Sequence, residues 1–250
     1  QTSITNFLID QEFKTILNKL KNSFINIPID NYEQKPKIEA IYKTISKIDD
    51  LKKLIKQITE SGICAIDTET DSLNINNVNL VGISICFENN KAYYIPLSHK
   101  ELKTNKLLKN QINFKDAMEE IKKLCSDSSI LKIGQNIKYD IRVLKKYGVK
   151  LESISDTMLM SYAFENGITR HNLDDLAQKH LNIKTIKFKD VVGTGKKQIT
   201  FDYVDINQAT KYASEDALIT FNLYNLFSKK ISTGKHNFIY QNIDKPLIEV

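Results

Sequence analysis

"GICAIDTETDSLNINNVNLVGISICFENNKAYYIPL", Gly62 to Leu97, is the stretch on which the reading of the chain turns. It holds three β-branched or aromatic runs: Gly62–Asp67, Asn79–Glu88 and Lys91–Leu97. Asn89-Asn90 separates the last two, and asparagine tolerates tight turns, so a hairpin is expected there. The first run drives straight into Asp67-Thr68-Glu69. Positions i and i+2 of a strand point to one face, which sets two carboxylates side by side. With 30 acidic residues in 250, chance supplies about four acid-x-acid pairs, so this pair alone reads first as a strand running out into a solvated turn.

Upstream, Ile38–Ile45 ("IEAIYKTI") reads as a short strand, and Leu51, Leu54, Ile55 and Ile58 give Asp49–Glu60 a helical spacing with acids in its first turn. Residues 1–37 mix short helical patterns with a polar stretch and read as an N-terminal extension or linker. Downstream, Phe114–Asp127 reads as a helix, Ile130–Asn136 as a strand, and Lys138–Gly148 as a helix closed by glycine. Asp156–Glu165 and Asn172–Leu181 follow as helices. Ile183–Phe201, rich in lysine, reads as an exposed loop, and Asn207–Ile231 as a long amphipathic helix. Three strands followed by alternating helix and strand imply an α/β fold: a mixed β-sheet with an antiparallel side, flanked by helices. Functional groups in such sheets gather at strand ends and on adjoining helices.

A hydrophobic content of 41% and a charged content of 26% fit a soluble globular protein with a full core. No apolar run approaches the roughly 18 residues of a membrane span, so no membrane partner is expected. The chain starts at Gln1 without a signal-peptide pattern and reads as a processed or excised piece. Its net charge of +6 hints at an anionic partner, yet 34 of the 36 basic residues are lysine, the exceptions being Arg142 and Arg170. That bias points to AT-rich coding, which supplies lysine whatever the ligand. Cys64, Cys86 and Cys125 are widely spaced among apolar residues and read as buried reduced thiols of a reducing compartment.

Two further patterns change the reading of the carboxylate pair. "GQNIKYD" places Asp140 one turn into a helix that follows an apolar strand, and "YASED" places Tyr212 and Asp216 at i and i+4 on one helix face. Glu215 points about 100° away from Asp216 and reads as solvated. Four carboxylates from three elements repel unless cations hold them. Their hard oxygens select Mg²⁺ or Mn²⁺, and two such ions about 4 Å apart clamp an in-line phosphoryl displacement.

The set Asp67-x-Glu69, Asn136-x-x-x-Asp140 and Tyr212-x-x-x-Asp216 resembles the three exonuclease motifs of the DEDD superfamily, in its tyrosine-bearing branch. "DTETDSL", "GQNIKYD", "SDTMLMSY", "RHNLDDLA", "GKKQITF" and "YASEDA" resemble, in that order, the 3′–5′ proofreading domain of family A (DNA polymerase I-like) DNA polymerases, over roughly Ile38 to Leu226. The resemblance implies a ribonuclease H-like fold, two Mg²⁺ (or Mn²⁺) ions and removal of mismatched nucleotides from a single-stranded 3′ end of DNA. It implies that Asp67 bridges both ions, that Glu69 and Asp216 hold the nucleophile-side ion and Asp140 the other, and that Tyr212 aims the attacking water. A phenol with pKa near 10 is a poor base at neutral pH, in keeping with an aiming role. Leu73 and Phe201 resemble the apolar wedge and stacking residues, although Phe201 taken alone reads as core. Asn136, Lys138 and Tyr139 line up with nucleotide and phosphate contacts. Arg170 suits bidentate phosphate contact, with a salt bridge to Asp174 as its rival. Lys184–Lys197 either track the DNA backbone or form a solvated loop, and His171 and His180 read as helix-surface residues.

The implied organisation is an exonuclease domain over 38–230 and a connector over 231–250 into a polymerase module of the same full-length chain, acting as a monomer. The expected location is intracellular and DNA-containing, and with the coding bias a plastid (apicoplast). Three rivals stand beside this reading. A phosphatase of the D-x-D-x-T type is disfavoured because Glu69 occupies the general-acid position. An inactive buttress of a polymerase is disfavoured because all four carboxylates and the tyrosine are present. A free-standing exonuclease of the RNase D or Werner type differs in contacts near the 2′-OH, which the sequence does not display.

Overall fold

Strand parity organises the molecule. The computed structural model describes residues 40–165, 170–232 and 235–250, so the 1–37 extension lies outside the described residues. Six strands form one sheet in the order β1-β4-β3-β2-β5-β6: β1 (Ile41–Thr44), β2 (Ile63–Thr70), β3 (Leu80–Glu88), β4 (Lys91–Pro96), β5 (Leu131–Gly134) and β6 (Ile154–Asp156). β2–β3 and β3–β4 pair antiparallel, while β1–β4, β2–β5 and β5–β6 pair parallel. The expected mixed sheet with an antiparallel side is present, and the hairpin turns at Asn89-Asn90.

Alternate residues of β2 and β3 enter different cores. Cys64, Ile66, Ile83 and Ile85 pack with α1 (Ile48–Ser61) and α2 (Phe114–Ser126) on one face. Ala65 and Cys86 pack instead with Ala217, Leu218 and Phe221 of the long helix α7 (Ile206–Ile231) on the other. Small residues on both partners, Ala65 and Ala92 on the sheet and Ala209, Ala213 and Ala217 at i, i+4 and i+8 on α7, let helix and sheet approach closely. Asp67 and Glu69 share the parity of Ala65, so they emerge on the α7 face where β2 leaves the core. Gly82 is required next to them. A Cβ there would lie 2.1 Å from the hydroxyl of Tyr94, whose ring fills the space and whose hydroxyl is 2.8 Å from His99 Nε2.

The remaining elements are α3 (Lys138–Lys145), α4 (Thr157–Glu165), α5 (Leu173–Leu176, continuing as a wider turn over Ala177–Leu181), α6 (Phe188–Val192) and α8 (Lys235–Ile239). The short strand β6 is absent from the sequence reading: three residues carry too little periodicity to register. The lysine-rich segment is not a plain loop, since it contains α6 and a short turn at Gly195–Lys197. All three cysteines are buried free thiols, as expected. No helix among the described residues is long and apolar enough to cross a membrane. The segment after α7 packs back on the sheet, with the Tyr240 hydroxyl 2.6 Å from Ser155 Oγ and accepting from Asp156 N (3.1 Å).

Asp156, at the end of β6, organises the turn from β5 into α3. Its buried carboxylate accepts from the backbone N–H of Asn136 (3.1 Å), Ile137 (2.9 Å) and Met158 (2.8 Å), stitching the starts of α3 and α4 to the sheet. Asn136 sits at φ 61, a left-handed conformation that asparagine tolerates and that this acceptor helps to hold. Burial raises the Asp156 pKa although the N–H donors pull it down. Replacing Asp156 by Ala strands these donors and is expected to cost about 3 kcal/mol, a fall in Tm of roughly 6–12 °C, measurable by thermal melting.

Candidate active site

Asp67 and Glu69 from β2 meet Asp216 from α7. One carboxylate oxygen of each lies within 4.8 Å of the other two. Asp140, in the first turn of α3, reaches the same strand from the other parity: its Oδ1 accepts from Thr68 N (2.9 Å) and Thr68 Oγ1 (2.6 Å). All four expected carboxylates therefore converge, three as one cluster and the fourth clamped beside it by Thr68. Thr68 carries no signal as a site residue in the sequence, because its role exists only once α3 docks.

Burial is the largest influence on every member. It lifts the pKa of Asp67 to about 8, with Asp216 adding to it. It lifts Asp216 to about 8 as well, against the pull of the Tyr212 hydroxyl. Glu69 is driven well above the carboxylate range by burial and then by Asp67, Asp216 and Asp140. Asp140 is driven up by burial and Asp67, although the Thr68 donors oppose this. The cleft over these groups, about 490 Å³, is lined by no lysine, arginine or histidine among the described residues. Of the lysines among the described residues, none lines this cleft. Clustered buried and half-buried carboxylates with no cationic partner lining their cleft among the described residues are the all-oxygen donor set of a hard divalent cation, and the residues present fit one.

Tyr212, half-buried one helical turn before Asp216, interacts through its hydroxyl with that carboxylate, and its pKa is raised by burial and then by Asp216, Glu69 and Asp67. Leu73 is 87% exposed and lines the cleft beside Tyr139, whose hydroxyl donates to Ser72 O (3.0 Å) and lies 2.7 Å from Thr70 Oγ1. Asn136, Lys138 and Arg170 are exposed and do not line the cleft.

Several expectations need correction. Phe201 lines the cleft but is only 1% exposed, packed among Tyr94, His99 and Tyr212. Core packing, its bland reading, prevails, and the exposed ring of this wall is Phe188. Arg170 makes no pair with Asp174, which instead meets Lys187 Nζ at 2.6 Å. Glu215 is not solvated: it is half-buried and accepts from Ile186 N at 2.6 Å. His171 and His180 are not surface residues. His171 is buried with Nδ1 2.8 Å from Ser161 Oγ, and His180 Nε2 lies 2.6 Å from Glu165 Oε1. Of the lysines in 184–197, Lys187 is engaged with Asp174, and Lys184, Lys189, Lys196 and Lys197 are exposed.

Comparison with known proteins agrees with this geometry. A family model described as 3′-5′ exonuclease, of the DNA polymerase A type, matches residues 42–232. DNA polymerase I of Rhizobium leguminosarum is 36% identical over 241 residues, covering 91% of this chain and 23% of the relative. DNA polymerase I of Pseudomonas aeruginosa is 36% identical over 200 residues, covering 78% and 22%. The chain thus spans about a quarter of the length of these relatives or less. Among solved structures, Brucella melitensis NrnC superposes with a TM-score of 0.59 at 19% identity, covering 84% of this chain and 88% of that one. The catalytic core of RRP6 from Trypanosoma brucei superposes with a TM-score of 0.60 at 14% identity, covering 89% and 58%. These likenesses show a shared ribonuclease H-like fold. With the family model spanning α7 and all of the sheet but the first residue of β1, and with identity above 30% to two polymerases, the chain belongs to the 3′-5′ exonuclease family of DNA polymerase A.

Proposed function

We propose that this 3′-5′ exonuclease proofreads for a DNA-directed DNA polymerase, hydrolysing the last phosphodiester of a single-stranded DNA 3′ end and releasing nucleoside monophosphates. The observation that carries the proposal is the cluster of Asp67, Glu69 and Asp216, with Asp140 alongside, in a cleft that no basic side chain among the described residues lines. Asp67 would share both of two Mg²⁺ or Mn²⁺ ions, Glu69 and Asp216 would hold one, and Asp140 the other. Such ions, when bound, lower the pKa of water and neutralise charge on the attacking and leaving oxygens.

The protein's own groups supply placement. Thr68 holds Asp140 in one orientation, and Tyr212 stays a neutral phenol because its burial, and then the neighbouring carboxylates, raise its pKa. A neutral hydroxyl aims a water molecule and takes no proton from it. Leu73, exposed at the cleft, acts as the wedge that separates the terminal bases. Tyr139 shapes the floor beneath the terminal nucleotide, while Asn136, Lys138 and Arg170 stand outside the cleft, where they would meet the strand's phosphates.

The share of the relatives that this chain spans supports a polymerase module in the same full-length chain. In this reading the exonuclease domain runs over 38–230, 231–250 is the connector, and the whole acts as a monomer. The setting is a DNA-containing compartment inside the cell. The lysine bias supports an AT-rich genome such as that of a plastid (apicoplast).

Two measurements test the site. Changing Asp67→Asn together with Glu69→Gln should lower nucleotide release from a 3′-labelled single strand by on the order of a thousandfold or more, with strand binding retained. Wild-type hydrolysis in that double variant would exclude the assignment.

The second measurement uses pH. Carboxyls with raised folded pKa stay protonated in the fold while the unfolded chain ionises, from about 4 upward to about 8 for Asp67 and Asp216. The unfolded state binds fewer protons over that window, so the metal-free protein should lose stability as pH rises through it. A divalent cation binds the deprotonated cluster and offsets the loss. In thermal melts, Mn²⁺ should therefore raise Tm more near pH 8 than near pH 5, on the order of a few degrees. An increment independent of pH, or one that persists when Asp67 and Glu69 are replaced, counts against the cage.

A further inference from the structure

Arg142 is one of only two arginines among 36 basic residues, and the carboxylate site makes no use of it. It lies on α3 about one turn beyond Tyr139, which lines the cleft. With Lys145, Lys146, Ile75 and Asn76, Arg142 lines a second, open groove of about 310 Å³. Among the described residues no acidic side chain lines this groove, the reverse of the cleft. Arg142 and Lys145 are exposed, and no ion pair ties either to a described residue. Groove and cleft share a wall: the turn over 71–79 sets Leu73 at the cleft and Ile75 and Asn76 at the groove. Three bonds fix that turn to α3 and the residues just after it. The Tyr139 hydroxyl donates to Ser72 O (3.0 Å), Lys146 Nζ donates to Val78 O (2.6 Å), and the Tyr147 hydroxyl accepts from Leu80 N (2.9 Å). From Tyr139 to Lys146 the helix path advances about 10 Å, which about three stacked nucleotides span at roughly 3.4 Å each.

We propose that the groove of Arg142, Lys145 and Lys146 holds phosphodiesters of the strand upstream of its terminal nucleotides, the strand crossing the turn of Leu73 to reach it. The inference rests on the exonuclease reading and adds a second foothold outside the place of hydrolysis. A cleft lined by carboxylates repels a polyanion until cations fill it, so attraction for the strand has to come from elsewhere on the surface. The planar fork of Arg142 suits two oxygens of one phosphate, and the lysines act as point charges. Phosphate contacts carry no sequence information, as removal of unspecified 3′ nucleotides requires. The rival role for these side chains is to complement the carbonyl end of α3, where Arg142 and Lys145 form the basic last turn. That role calls for no acid-free groove walled by the turn of Leu73. Arg142 and Lys145 are positioning residues for the strand and touch no reacting atom.

The test uses the whole chain with single-stranded DNA at about 0.1 M salt, where distant surface charges are screened. Arg142→Gln and Lys145→Gln are combined, which keeps much of each apolar stem, and Lys146 is left alone because it tethers the turn of Leu73. For a strand of about ten nucleotides, KM should rise about tenfold, with kcat within about twofold of wild type. The slope of log affinity against log salt should become shallower by about 1.4, the share of two phosphates on a single strand. A dinucleotide, too short to reach the groove, should keep its KM. Lys52→Gln with Lys56→Gln, on α1, removes the same charge and should leave KM for the longer strand within about twofold. If thermal melts show the groove pair destabilised, Arg142→Gln alone carries the test, with a slope change of about 0.7. Unchanged KM and slope, an equal rise with the dinucleotide, or an equal rise from the α1 pair overturns the proposal and leaves the groove as charge complement to the end of α3. Fluorescence anisotropy of the longer strand in the Asp67→Asn, Glu69→Gln background reads binding without hydrolysis and so separates this inference from the exonuclease reading. If wild type releases nothing with Mg²⁺ or Mn²⁺, that reading fails, while lost affinity on adding the groove pair still supports the groove and unchanged affinity still overturns it.

Discussion

Mutual repulsion among four carboxylates, Glu69 and Asp140 buried and Asp67 and Asp216 half-buried, is the constraint around which this molecule is built. Among the described residues nothing basic lines their cleft, so the fold itself must hold like charges together until a cation does. Each carboxylate is accordingly carried on a rigid element: Asp67 and Glu69 on the strand β2, paired on both edges, Asp216 on the 26-residue helix α7, and Asp140 in the first turn of α3. Burial, and then the repulsion of neighbouring carboxylates, raises the pKa of each, which is the electrostatic consequence of that placement. Stability is spent locally to leave a site whose ligands need little rearrangement.

The supports around the site follow from this need. Thr68 sits between the two acids of β2 and points to the opposite face, where it donates twice to Asp140. Asp156 holds the turn that delivers α3, so one buried carboxylate positions another. On the far wall, Glu215 and Asp174 tether the segment carrying Phe188. Neighbours on α7 thus divide the work: Asp216 faces the cleft, and Glu215, about 100° round the helix, anchors the wall beside it.

Much of the architecture was legible because its signals are periodic. The alternation in β2 to β4, the Asn89-Asn90 turn and the 3.6-residue spacing of α1, α2 and α7 each repeat often enough to stand above chance. The three-residue strand β6 and the short helix α6 do not repeat at all, and neither was read. Residues whose role depends on a distant partner misled the reading in a consistent direction. His171, His180 and Glu215 look solvated along the chain, and all three are engaged by groups from other elements. Phe201 and Phe188 lie thirteen positions apart in one aromatic stack, and only packing decides which of the two rings is covered.

The sequence by itself determined the mixed sheet, the two faces of β2 and the identity of the four carboxylates with Tyr212. Strand parity and helical spacing are local geometry, and motif order needs no coordinates. The tertiary structure alone decided that Asp67, Glu69 and Asp216 close to within 4.8 Å, that Thr68 and Asp156 hold Asp140 in place, and that of the two rings lining the cleft wall Phe188 is left exposed and Phe201 covered. Those outcomes depend on burial and on contacts between residues as far apart as Asp67 and Asp216. Such contacts form only when helix and sheet pack, and no local pattern encodes which side chain will then be left in water.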